Sequence, residues 1–328
     1  MAGIGPSDGA DGADGADGAD GAAGTGASSA LPGGRGSRAA VRPIGTSPYL
    51  RENAFETFDG NQWPPVSPPL RREPEGDFLP LNKIFGKAPI TGFPRRAWTS
   101  YHYSIVVLGE FVQRQTEDGK SWHEVTIGPP PDAGQLHDEI DELIELVEYR
   151  PGVLNESMSQ ANGLLDYFRG VLSFSRYSHR HTYELTHIAL RIAQFAAMHF
   201  KHRYRIPRPS YLAPALMPPA DPPGHASWPS GHATEAYLLA LCLKDVVPQA
   251  AFNQERPYAS PLDRVAERIA RNREVLGVHY PCDSRAGKQL AEAIFPLLMK
   301  CPSLQGLNGE PGVLQLARNE WKITPVGP

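Results

Sequence analysis

Apolar residues in the second half of the chain recur at intervals of three and four positions, which is the spacing of one face of an α-helix. The pattern predicts successive helices from residue 133 onward, with one helix opening at about Gly231 after a proline-rich loop at 207–229. These helices predict an all-α fold, a helical bundle with long Pro-rich loops. The apolar positions of the predicted helices are Leu136, Ile140, Leu143, Ile144 and Val147; Leu164, Leu165, Phe168 and Leu172; Leu185, Ile188, Ala189, Ile192, Phe195, Ala196 and Phe200; Tyr237, Leu238 and Leu241; Val265, Ile269 and Leu276; and Ala286, Leu290, Ile294 and Leu297.

The first part of the chain lacks this helical period. Residues 1–75 hold a Gly-Ala-Asp repeat without proline and then a Pro/Arg-rich stretch, which predicts a flexible acidic tail rather than a collagen helix. Residues 76–130 are predicted to be a peripheral segment, and the pattern there fits either a small hairpin or a helix through 98–112. The predicted functional domain spans 131–310, and residues 311–328 are predicted to be a C-terminal tail.

Composition narrows the classes of protein that the chain can represent. It has 328 residues and a formal net charge of −4, so its overall charge does not favour nucleic-acid binding. The sequence has no run of about 18 uncharged apolar residues, and its start lacks a basic stretch followed by an apolar one. These features predict a soluble, cytoplasmic protein without a membrane partner. The cysteines Cys242, Cys282 and Cys301 are widely spaced, which is compatible with a reducing compartment.

One segment is locally basic, because residues 185–220 contain no acidic side chain. Arg208 lies between Pro207 and Pro209, whose rings fix the backbone, and its planar guanidinium suits two oxygens of one tetrahedral anion. Lys201 precedes it and adds a point charge. A solvated basic face would explain the same charges, so this segment alone leaves both interpretations open.

A second segment reads Pro229-Ser230-Gly231-His232. Serine is a favoured N-cap, and Gly231 allows a backbone N–H to approach an anion without a Cβ in the way. The first turn of the following helix offers further N–H groups at its positive end, so His232 would stand at the edge of an anion site. The alternative is a Ser-capped helix with a surface histidine.

A third segment places Arg273 on a predicted helix and His279 just beyond that helix's end. Asp283 follows His279 by four positions, so its carboxylate can accept from one imidazole nitrogen and leave the other as a nucleophile or a metal ligand. The alternative is that Asp283 caps the next helix, and both roles are compatible with one another.

Taken in order, Lys-x6-Arg-Pro, Pro-Ser-Gly-His and Arg-x5-His-x3-Asp resemble the superfamily of type 2 phosphatidic acid phosphatases, bacterial nonspecific acid phosphatases and vanadium-dependent haloperoxidases. The resemblance covers about residues 180–295, with Asn272 departing from the usual serine before the arginine. It implies an active site at helix ends in the bundle core. The residues that it assigns to the oxyanion (phosphate or vanadate) are Lys201, Arg208, Ser230, Gly231 and Arg273.

The same resemblance assigns the catalytic histidines. It implies that His232 is the acid–base residue, that Asp283 orients His279, and that His279 attacks phosphorus in a phosphatase or coordinates vanadium in a haloperoxidase. A carboxylate behind His232 is also expected, but the sequence does not identify it. His225 lies where bromide-oxidising members carry a second histidine, although a histidine in a Pro-rich loop needs no such role.

Three functions are compatible with these motifs. The first is a vanadate-dependent haloperoxidase of the soluble bacterial branch, with vanadate as cofactor and hydrogen peroxide and halide as substrates. The second is a metal-independent acid phosphatase that hydrolyses a phosphate ester through a phosphohistidine at His279. The third is a catalytically inactive anion-binding protein, which the presence of His232, His279 and Arg273 disfavours. A homodimer is compatible with any of the three.

Overall fold

The computed structural model describes residues 93, 95–248, 260–307 and 309–322, and these residues are mostly helical, so the predicted all-α class is confirmed. The predicted tail at 1–75 lies outside the described residues. Among the described residues, no helix has both the length and the apolar character of a membrane span. The elements in chain order are α1 Ser100–Phe111, α2 Ala133–Glu145, α3 Arg150–Leu172, α4 Arg180–Tyr204, α5 Pro209–Leu212, α6 Gly231–Val246, α7 Pro261–Val275, α8 Pro281–Met299, α9 Pro302–Gln305, a short antiparallel pair of β1 Gly306–Leu307 and β2 Glu310–Pro311, and α10 Val313–Glu320.

Helix α6 is the centre of the bundle, because it packs against α4, α7 and α8 and is buried along most of its length. It begins at the predicted position, where the Ser230 hydroxyl accepts from the Ala233 N–H at 3.3 Å. Gly287 lets α8 approach this first turn closely, since a Cβ there would lie 2.7 Å from the Ser230 carbonyl oxygen and 2.8 Å from the Ala233 Cβ. The start of α6 is therefore held directly against α8.

The segment around 98–112 is a helix rather than a hairpin. The Thr99 side chain accepts from the His102 N–H at 3.2 Å and begins α1. Val107 and Phe111 are fully buried where α1 packs on α4. The described part of this N-terminal segment therefore contributes to the core, whereas the sequence predicted a peripheral position.

The end of the described chain also folds onto the bundle. Within 311–328, which the sequence predicts to be a tail, α10 packs on α4. The Glu320 carboxylate accepts from the backbone N–H groups of His181 and Thr182 at 2.7 and 2.9 Å, which caps the start of α4. The buried side chains of α10 are Val313, Leu314 and Ala317.

Candidate functional site

Four segments of the chain meet near the starts of α6 and α8: the end of α4, the turn before α5, the loop before α6 and the link between α7 and α8. Backbone hydrogen bonds hold them together. The N–H of Ser227 donates to the Ile206 carbonyl at 2.9 Å, and the N–H of Ser230 donates to the Asp283 carbonyl at 2.9 Å. These bonds hold the ends of the helices together inside the bundle.

His279 and Asp283 form the buried centre of this arrangement, with exposed fractions of 1% and 0%. The Nδ1 atom of His279 lies 2.7 Å from Oδ2 of Asp283. The same oxygen accepts from the Tyr280 N–H at 3.0 Å, in the first turn of α8. Asp283 therefore contacts the imidazole and also satisfies a backbone donor at the start of a helix, so both roles considered for it apply together.

Arg208 contacts the other nitrogen of the imidazole. Its Nη1 lies 3.0 Å from Nε2 of His279 and 2.8 Å from the carbonyl oxygen of Val278. A guanidinium only donates, so Nε2 must be the acceptor and the ring hydrogen must sit on Nδ1, facing Asp283. The lone pair of Nε2 consequently points toward the side chain that the sequence assigns to anion binding.

His225 lies on the same guanidinium. Nε of Arg208 donates to the His225 carbonyl oxygen at 3.0 Å, and Nη2 lies 3.0 Å from His225 Nδ1. The same Nδ1 also lies 3.1 Å from the Ala226 carbonyl oxygen, so it faces a donor on Arg208 and an acceptor on the backbone. The structure therefore brings His225, Arg208 and His279 together.

Lys201 reaches the site from the last turn of α4. It is 1% exposed, and its Nζ donates to the carbonyl oxygens of Ala226 and Ser227 at 2.9 and 3.0 Å. The Ser227 hydroxyl in turn donates to Asp283 Oδ2 at 2.5 Å. Ser227 was not among the predicted site residues, and its type and spacing do not distinguish it from an ordinary loop serine.

Burial dominates the electrostatics of Asp283. Desolvation raises the pKa of its carboxyl to about 6, although the Ser227 hydroxyl and the charges of Lys201 and Arg208 act in the opposite direction. The carboxyl therefore changes charge in the mildly acidic range, about two pH units closer to neutrality than an exposed aspartate, whose ordinary pKa is about 3.9.

The first turn of α6 adds Ser230, Gly231 and His232, all of them buried. His232 is 4% exposed, which rules out the surface histidine that the sequence left as an alternative. His232 is the second residue of α6, so its backbone N–H is one of the first-turn N–H groups that have no acceptor within the helix. Glu235, one turn further along α6, is a fully buried carboxylate that the sequence pattern did not single out.

Arg273 is buried, with an exposed fraction of 4%, and it connects α7 with α3. Its guanidinium donates to the Ser157 carbonyl in α3, while its own carbonyl accepts from the Val278 N–H at 3.2 Å. The neighbouring Asn272 also faces α3, where its side chain donates to Gln160 at 3.0 Å. The contribution of α3 was not predicted, because its polar residues face a helix distant in sequence.

No protein-family model matches the chain, and no curated protein matches it. The motifs and the contacts around His279 are therefore the features of this chain that indicate its function.

Proposed function

We propose that this protein is a vanadate-dependent haloperoxidase that oxidises halide with hydrogen peroxide. The observation that carries the proposal is the environment of His279, whose Nδ1 lies 2.7 Å from Asp283 and whose Nε2 lies 3.0 Å from the Arg208 guanidinium. A buried acceptor nitrogen beside an anion-binding cation can ligate the central atom of a tetrahedral oxyanion while the cation binds its oxygens.

The donor set fits vanadate. His279 Nε2 would be the ligand, the side chains of Lys201 and Arg208 would bind oxygens, and the first-turn amides at Gly231 would add backbone donors. When bound, vanadate supplies the activation of hydrogen peroxide that halide oxidation requires. All three side chains and Gly231 are buried, so these interactions would act with little screening by water.

Each remaining residue has a defined part in this proposal. Asp283 holds the hydrogen of His279 on Nδ1 and so keeps the Nε2 lone pair available for the ligand position. His232, buried in the first turn of α6, would move protons to and from the peroxide oxygens. His225 shares Arg208 with His279, which supports a haloperoxidase because the resemblance places a second histidine at this position in bromide-oxidising members.

A phosphomonoesterase is the second candidate, and the Asp283-supported imidazole favours it equally. In that reaction Nε2 of His279 would form a bond to phosphorus while the ester P–O bond breaks, and His232 would give its proton to the departing alcohol. Water would then cleave the phosphohistidine.

A paired assay on one purified sample separates these functions. One portion is incubated with orthovanadate, freed of excess and assayed for peroxide-dependent bromination; the untreated portion is assayed for hydrolysis of a chromogenic phosphate ester. Bromination that requires vanadate supports the proposal. Vanadate-inhibited hydrolysis without bromination replaces it with the phosphatase, and neither activity with retained phosphate binding replaces it with an anion-binding protein.

His279→Ala is expected to abolish either activity while the protein stays folded, because it removes Nε2, the proposed ligand or nucleophile. Circular dichroism checks the fold, and His279→Asn, whose amide can still donate to Asp283, is the second variant. His137→Ala is the matched control, since His137 is exposed in α2 and contacts the Ala133 carbonyl. A wild-type rate in both folded His279 variants would refute the site.

A further inference from the structure

Arg150, at the start of α3, lies outside the residues assigned to the oxyanion, yet it joins two segments that lead to them. Its Nε donates to the Val275 carbonyl at 2.9 Å, at the end of α7. Its Nη1 donates to the carbonyl oxygens of Leu216 and Met217 at 2.6 and 3.2 Å, in the loop that follows α5. One guanidinium thus connects the C-terminal end of a helix with a loop distant in sequence.

Nη2, the third nitrogen of the Arg150 guanidinium, lies close to Gly277 and accounts for the glycine at that position. Gly277 has a φ of +76°, and a Cβ at that position would lie 2.6 Å from Nη2 of Arg150. Nη2 is buried and has no hydrogen-bond partner among the described residues. Glycine is therefore required at 277 for its backbone conformation and because the guanidinium packs against its Cα.

Each segment that Arg150 holds continues directly into the site. After Gly277, the Val278 carbonyl and the His279 ring both contact Arg208. Arg208 itself is the N-cap of α5, so the loop that starts with it returns to Arg150 at 216–217. One route therefore runs from Arg150 through 275–279 to His279, another runs from Arg150 through 208–217 to Arg208, and the two meet where Arg208 contacts His279.

The 216–217 end of this loop is conformationally strained. Met217 has a φ of +35°, which a residue with a side chain adopts only when its surroundings impose it. Arg150 binds the carbonyl groups of Leu216 and Met217, on either side of the strained backbone. The guanidinium also lies at the negative end of α7, where a cation is favoured.

We propose that Arg150 is a positioning residue that sets the separation of the Arg208 guanidinium and His279 Nε2, a role that rests on the proposed anion site. Its planar fork bonds three carbonyl oxygens on two segments at once. A lysine keeps the charge but cannot reproduce that geometry.

The test compares Arg150→Gln and Arg150→Lys with Arg169→Gln. Arg169 lies in the same helix and donates to the Phe174 carbonyl at 3.2 Å, away from the site, so it is the matched control. Hydrogen exchange is measured in peptides covering 209–217 and 275–280, and the Kd for orthovanadate is measured by equilibrium dialysis. We expect faster exchange in both segments and about 10- to 100-fold weaker orthovanadate binding for both Arg150 variants, with neither change for the control.

The outcomes separate the two proposals. Wild-type protein that does not bind orthovanadate overturns the proposed function, while the exchange data still decide whether Arg150 joins the two segments. Faster exchange in one segment only, or exchange raised uniformly through the chain, overturns the positioning role. Wild-type orthovanadate affinity in variants whose two segments are loosened also overturns it, and Arg150→Lys supplies the measurement if Arg150→Gln does not fold.

Discussion

The side chain of Asp283 makes its hydrogen bonds to the described residues through one oxygen, Oδ2. Its Oδ2 faces three donors, namely the Ser227 hydroxyl, the Tyr280 N–H and Nδ1 of His279. An ionised carboxylate oxygen can accept from all of them, whereas a proton on Oδ2 would oppose a donor. Ionisation of this buried carboxyl therefore strengthens the contact that holds the hydrogen of His279 on Nδ1, the tautomer that the contact with Arg208 also requires.

This dependence predicts opposite effects of pH on activity and stability. Burial raises the pKa of Asp283 to about 6, so activity should fall as pH drops through about 6 and the carboxyl is protonated. The unfolded carboxyl has a pKa of about 3.9, so folding takes up a proton between about pH 4 and 6. The contribution of Asp283 to stability is thus fully present below about pH 4 and is lost as pH rises through about 6.

Asp283→Asn tests both effects. We expect the variant to have low residual activity, because asparagine cannot provide the carboxylate. Its pH–activity profile should lack the acidic limb near pH 6, because asparagine does not titrate. The difference in unfolding free energy between variant and wild type should change across pH 4 to 6. An unaltered acidic limb in the variant would assign that limb to another group.

Sequence spacing could predict contacts between near neighbours but not between distant segments. His279 and Asp283 are four positions apart, so a helix start between them brings the two side chains together. Ser227 and Arg150 have no comparable signal, because their partners lie 56 and 125 positions away along the chain. Their importance follows only from the folded arrangement of the loops.

At the scale of elements, hydrophobic period predicted the helices of the functional domain because each buries one continuous face. The longest predicted run ends near Lys201, and α4 extends three residues beyond it to Tyr204. The period could not decide the structure of 98–112, where a short β-branched run fits strand and helix alike. The Thr99 cap and the burial of Phe111 against α4 account for the helix there.

The contact between α6 and α8 depends on Gly287, and Gly287→Ala should disturb it. A Cβ would meet the Ser230 carbonyl oxygen at 2.7 Å, backbone that cannot rotate away, so the helices must separate. We expect a loss of about 1–3 kcal/mol in unfolding free energy by chemical denaturation. Activity should fall as well, since α6 carries His232 and α8 carries Asp283.

Gly170→Ala is the matched control for that substitution. Gly170 is exposed within α3, and a Cβ there would have nothing within 4 Å. Alanine should stabilise this helix by up to about 1 kcal/mol without changing activity. If both alanine variants behaved alike, the close approach at Gly287 would have no energetic consequence.

At the scale of the whole molecule, α4 links the outer parts of the chain to the candidate site. Helices α1 and α10 both pack on it, and its last turn carries Lys201. Sequence reasoning placed the boundaries of the functional domain at 131 and 310 because the helical period is strongest between them. It could not foresee the packing of α1 and α10, since each is short and its burial depends on a surface formed elsewhere in the chain.

Glu320 provides a test of this long-range packing. Its carboxylate accepts from the N–H groups of His181 and Thr182 and from the Thr182 hydroxyl at 2.8 Å. Glu320→Gln removes the charge and turns an amide group toward these donors, which should cost about 1–3 kcal/mol in unfolding free energy. Glu310→Gln, at an exposed position, is the control for loss of charge alone.

The same variant separates stability from function. Lys201 lies near the opposite end of the 25-residue α4, so fraying of the first turn should not reach it. We therefore expect Glu320→Gln to lower the midpoint of urea unfolding while orthovanadate affinity at 25 °C stays at the wild-type value. If orthovanadate affinity decreased at urea concentrations too low to unfold the variant, α10 and the anion site would instead be coupled through the length of α4.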